Sequence, residues 1–75
     1  MNSPQRLTAI IEREDEGYVA LCPELDIASE GETIEESRAN LIEALTLFFE
    51  TASPTEVARR VHYDVFVTQV EVPVG

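Results

Sequence analysis

Three patterns in this 75-residue chain point to an α+β domain. They are a run of short segments with alternating polarity, one long amphipathic segment with helical spacing, and a valine-rich alternating tail. In order they give a three-stranded antiparallel meander, one main helix, a short second helix, and then a further strand, β-β-β-α-β. The chain is long enough for a single domain spanning residues 1–75.

The first strand is expected over Gln5 to Glu14, where Leu7, Ala9 and Ile11 alternate with Thr8, Ile10 and Glu12. Asp15-Glu16-Gly17 marks a turn, with Gly17 as the residue suited to positive φ. Tyr18 to Cys22 resumes the strand and should pair back as a hairpin, and Pro23 ends it because proline cannot donate to a ladder. Leu25 to Ser29 is a short third strand, closed by a turn at Glu30-Gly31-Glu32.

Thr33-Ile34-Glu35-Glu36 matches a capping box, in which a hydroxyl and a carboxylate satisfy orphan backbone donors. The helix should run from about Ile34 to about Thr51. Its inward stripe is expected at Ile34, Arg38, Leu41, Leu45 and Phe48, widened by Ile42, Phe49 and Ala52. Ser53-Pro54-Thr55-Glu56 repeats the capping pattern and predicts a short helix to about Arg59. Val61 to Val72 then alternates as the longest strand candidate, ended by Pro73.

Composition limits the function. A chain this short buries only roughly 60% of its unfolded surface, so it is expected to lean on a disulfide, a metal or a partner. Cys22 is the one cysteine, and Cys22 and His62 are the only soft metal ligands, which leaves association. The strands carry apolar residues on both faces, and one helix can cover only one, so an interface is expected, either self-association or a partner.

The net charge is −10, from 15 acids against 5 bases. That field repels phosphates and favours a basic protein partner, so direct nucleic-acid binding is not expected. The absence of a signal-like or membrane-spanning run makes a cytoplasmic location the expectation.

Nine acids and no base lie between Glu14 and Ser37. Paired carboxylates could hold divalent metal for a nuclease, but turns and the helix dipole account for these positions. His62 on a strand reads as structural, and Cys22 as a buried, inert thiol. Arg59-Arg60 suits a helix C-terminus. No catalytic residue, cofactor-binding residue or metal ligand is assigned.

One combination is more specific than its parts. Gly17-Tyr18-Val19-Ala20, then Pro23-Glu24-Leu25, then Ser29-Glu30-Gly31-Glu32-Thr33-Ile34-Glu35-Glu36 resembles the signature of the HicB-like antitoxin family. The resemblance covers roughly Leu7 to Thr51. It implies a partial ribonuclease-H-like fold, and an antitoxin that assembles as a homo-oligomer, a dimer or tetramer, and binds a small basic toxin ribonuclease. The segment after Pro23-Glu24 departs from the family's Leu-Pro-Gly, reading Leu25-Asp26-Ile27-Ala28. Many members continue into a DNA-binding module, and none is expected here. A stand-alone, self-associating regulatory or small-ligand-binding domain is the alternative, followed by a metal-dependent nuclease relic.

Overall fold

The computed structural model describes residues 5–75. Three strands, β1 (Ile10–Glu14), β2 (Gly17–Cys22) and β3 (Ile27–Gly31), form an antiparallel meander in the order β1-β2-β3. Helix α1 (Ile34–Thr51) packs across β3 and β2, and a short helix α2 (Pro54–Arg60) follows. The α+β architecture of meander, main helix and short second helix is therefore present.

Directly opposed residues share a face of an antiparallel sheet. The row Ile11, Ala20 and Ser29 turns toward α1, whereas Ile10, Leu21 and Ala28 occupy the opposite face. Ala20, Cys22, Leu25 and Leu41 form the buried core, joined by Leu7, Ile11, Ile27, Leu45, Phe48, Phe49 and Val61. Burying each of the two leucines contributes about 1.5–3 kcal/mol. This is a thin core, and the face opposite α1 repeats the apolar pattern without a helix of its own.

The helical stripe differs from the one the spacing suggests. Ser37 and Leu41 are the buried positions of α1, while Ile34, Arg38 and Ile42 are exposed. The cause is a close crossing. The end of β3 passes so near the first turns of α1 that only small groups fit between them. A Cβ built on Gly31 would press on the Ser37 backbone nitrogen and lie 2.8 Å from the Glu36 carbonyl carbon. Ser37 fits there with its hydroxyl donated to the Ile34 carbonyl at 2.9 Å. The stripe is thereby rotated one position toward the small residue.

Both caps form. The Glu36 N–H donates to Thr33 Oγ1 at 3.0 Å, and the Glu56 N–H to Ser53 Oγ at 3.1 Å. The Glu36 carboxylate accepts from the Glu32 N–H at 2.8 Å, one residue before the cap.

The turns are corrected in detail. No described glycine has positive φ; the left-handed residues are Asp15 (φ 50°) and Asp26 (φ 56°). Gly17 lies inside β2, opposite Glu14. It is small for a different reason: the Gly31 carbonyl oxygen sits 2.9 Å from where its Cβ would be. β3 begins at Ile27 rather than Leu25, because Leu25 and Asp26 form the corner that hangs from the Cys22 carbonyl through N–H···O contacts of 3.3 and 2.8 Å. Aspartate tolerates the left-handed region, and a β-branched residue does not. Asp26→Val should therefore cost about 1–2 kcal/mol, with Asp26→Gly near neutral. Parallel urea titrations of the two variants check this.

The expected final strand is the largest difference. Residues 61–75 form no ladder, since a strand needs a neighbour to pair with and this chain leads them away from the sheet. Arg60 donates to the Leu25 carbonyl (3.2 Å) and lies over the Phe48 ring (5.0 Å), and the His62 N–H donates to the Glu24 carbonyl (2.8 Å). Beyond these ties the chain projects as an arm. The radius of gyration is 14.6 Å, where a compact chain of this length would have about 11 Å. His62 contributes its backbone to this anchor, while its side chain is exposed rather than packed.

Candidate protein-binding face

The motif residues fall into two groups at opposite ends of β2, roughly 17 Å apart at 3.3 Å per residue. Gly17, Tyr18, Gly31, Thr33, Glu35 and Glu36 lie at the hairpin-and-cap end. Pro23, Glu24 and Leu25 form the corner at the other end, with Ala20 buried between them.

At the first end, the Gly17–Gly31 approach brings the β1–β2 hairpin against the β3–α1 junction. An open concavity of about 890 Å³ results, lined by Glu14, Asp15 and Glu16 from the hairpin and Glu30, Glu32 and Glu36 from the junction, with Tyr18 among them. Arg13 lies 5.9 Å from the centre of the Tyr18 ring, a cation–π contact at the rim. Six carboxylates on one open surface present a concentrated negative field, which steers and orients a cationic surface. Among the described residues, no three His, Cys, Asp or Glu side chains are placed to share a metal ion.

The second end is built inward. Glu24 is only 5% exposed. Both of its carboxylate oxygens accept from the Thr8 N–H at 3.1 Å, and Oε2 also accepts from the Thr8 hydroxyl at 2.6 Å. The Cys22 thiol donates to Oε1 at 3.4 Å. Burial alone would push the Glu24 carboxyl up, but the hydroxyl and backbone donors of Thr8 outweigh it and hold the group below its ordinary value. Burial, reinforced by the Glu24 charge, raises the Cys22 thiol, which is thus a protonated donor. The burial expected of Cys22 is found, and its thiol has a carboxylate partner in Glu24.

Glu24 is the residue that sequence reasoning misplaced. It counts there as one more surface acid in an acidic stretch, whereas it fastens residue 8 to the β2–β3 corner. A Pro-Glu pair at a strand end followed by an apolar residue was the available signal; its partner Thr8 is too distant in sequence to be recognised. Arg60 likewise reads as a helix-end cation, but it caps the Leu25 carbonyl and stacks on Phe48. The corner motif is therefore inward-facing scaffold, whereas the acidic concavity is open to solvent.

The chain is similar to UPF0150 protein ssl0738 of Synechocystis sp. The two are 52% identical over 46 residues, covering 59% of this chain and 64% of that protein. The match thus spans less than two thirds of the relative's length. No family model matches, and no solved structure matches. Among the described residues, no helix is long and apolar enough to cross a membrane.

Proposed function

We propose that this chain is a non-enzymatic, HicB-like protein-binding domain of antitoxin type, which self-associates and takes a small basic ribonuclease as its partner. The observation that carries the reading is the acidic concavity, in which two separate segments are held together by the Gly17–Gly31 approach. Its carboxylates are exposed on the hairpin and on the start of α1, where a cationic surface can reach them. The motif resemblance and the similarity to the UPF0150 protein support the same reading. A net charge of −10 favours fast, salt-sensitive encounter with a cationic protein.

The test is to look for a small basic chain encoded beside this one, co-express the two, and follow with an RNA-cleavage assay; absence of any such neighbour would also count against the reading. The expected result is a stable complex in which cleavage is suppressed. Triple replacement of the exposed Glu16, Glu30 and Glu32 by lysine should slow association at least tenfold at low salt, and much less at high salt. Retained activity of the ribonuclease in the presence of excess wild-type chain would overturn the antitoxin reading.

A further inference from the structure

We propose that residues 5–8 and the root of the arm form one clasp over the β2–β3 corner, closed through Glu24, so that the N-terminal segment and the arm open together. The inference stands apart from the choice of partner. Neither segment belongs to a ladder, and each lends one half-buried apolar residue to the core, Leu7 and Val61. Their attachment therefore depends on a few polar ties, and those ties run in a circuit.

Thr8 supplies the first of them. Its N–H, at 3.1 Å, and its hydroxyl, at 2.6 Å, donate to the Glu24 carboxylate. The carbonyl of the same Glu24 receives the His62 N–H at 2.8 Å. One residue on, the Tyr63 hydroxyl donates to Gln5 Oε1 at 2.6 Å, which returns the circuit to the segment that carries Thr8. Gln5 and Tyr63 are 58 positions apart in sequence, so the circuit joins the two flanks of the chain. Arg60, on the Leu25 carbonyl at 3.2 Å, holds the root of the arm from beside it.

Glu24 makes the circuit cooperative. At 5% exposure its carboxylate has little water to turn to, and a buried charge short of donors is costly. Thr8 provides two donor groups and the Cys22 thiol a third at 3.4 Å. Withdrawal of Thr8 strands that charge and carries Gln5 away from Tyr63. Release of Tyr63 frees Gln5 and weakens the hold on Thr8. Segments with few apolar contacts and no ladder open as units, below the free energy of global unfolding. Such coupling is reciprocal. A partner that grips the exposed Phe66, Val70 and Val72 of the arm, and one that grips residues 5–8, each shift the other by the same factor.

Hydrogen exchange followed by NMR tests this on the full chain with Thr8→Val and Tyr63→Phe, each of which removes one hydroxyl and keeps the shape of the side chain. Thr8→Val should lower protection of the His62 amide, which Thr8 does not itself bond, about tenfold, the scale of one hydrogen bond to a charged acceptor. Tyr63→Phe should in turn lower protection of the Thr8 amide. The Leu41 and Leu45 amides within α1 should keep their wild-type protection. A loss confined to the substituted segment shows independent ties and overturns the proposal, as does a His62 amide that is unprotected in the wild type. An equal fall at Leu41 and Leu45 overturns it too, because the opening would then be global. Tyr63 is 56% exposed, so Tyr63→Phe keeps the fold, and its effect on Thr8 decides the matter if Thr8→Val does not fold.

Discussion

Gly31→Ala is expected to lower stability by about 3 kcal/mol, at the upper end of the cost of overpacking. The atoms a methyl group would strike are the backbone of Glu36 and Ser37, which cannot swing aside as a side chain tip can. Relief requires β3 and α1 to separate, and with them the packing of Ala20 and Leu41. For a domain of this size the loss corresponds to about 12–24 °C in the midpoint of thermal unfolding. Circular dichroism at 222 nm measures it. A loss below about 1 kcal/mol would mean that the crossing gives way easily, and that the small side chain of Ser37 has some other reason. Gly17→Ala should be milder, since it meets one carbonyl oxygen at 2.9 Å rather than several backbone atoms.

Glu24→Gln should cost about 2 kcal/mol, the scale of hydrogen bonds to a charged acceptor. The substitution preserves shape but turns one oxygen into an NH₂, which would face the Thr8 donors. The pH dependence has a definite sign. The folded Glu24 carboxyl sits below its ordinary value, so its stabilisation is fully present above the unfolded glutamate pKa of about 4.3 and fades as pH falls through and below that value. The raised Cys22 thiol acts at the other limit, where stability is lost as pH climbs past an unfolded thiol's pKa of about 8.5. Acidification also relieves repulsion among the many surface acids, which works in the opposite direction. The informative quantity is therefore the difference between wild type and Glu24→Gln across pH. It should shrink on going from pH 6 to pH 3, and a difference that stays constant would contradict the assignment.

The meander, α1 and α2 were legible because each is encoded locally. Period-two alternation, the Thr33 and Ser53 caps and Pro54 act within a few residues, so neighbours suffice to read them. Apart from the turn details at Asp15 and Asp26, the errors involve distant partners. Nothing near Gly31 reveals that the helix crosses within a van der Waals radius, and so the stripe was assigned to Ile34 and Arg38 instead of Ser37. Nothing near Glu24 indicates Thr8. The tail from Val61 to Val72 has a strand's side chains, but a ladder is a property of two segments, and among the described residues no second segment pairs with it. The carboxylates of the hairpin and of the α1 cap were readable as surface acids. That Gly17 and Gly31 gather them into one concavity was not.

The anchoring of α2 has a consequence for how this domain can diversify. Arg60 and the His62 N–H both bind main-chain carbonyls, those of Leu25 and Glu24. A carbonyl persists through any substitution at its own position, so the acceptors that aim the arm are independent of side-chain identity in the corner. The arm's residues beyond Val65 are all exposed and none belongs to the core, so substitutions there leave the core packing as it is. A main-chain anchor joined to an exposed segment lets the sequence of the arm vary while the framework that aims it stays intact.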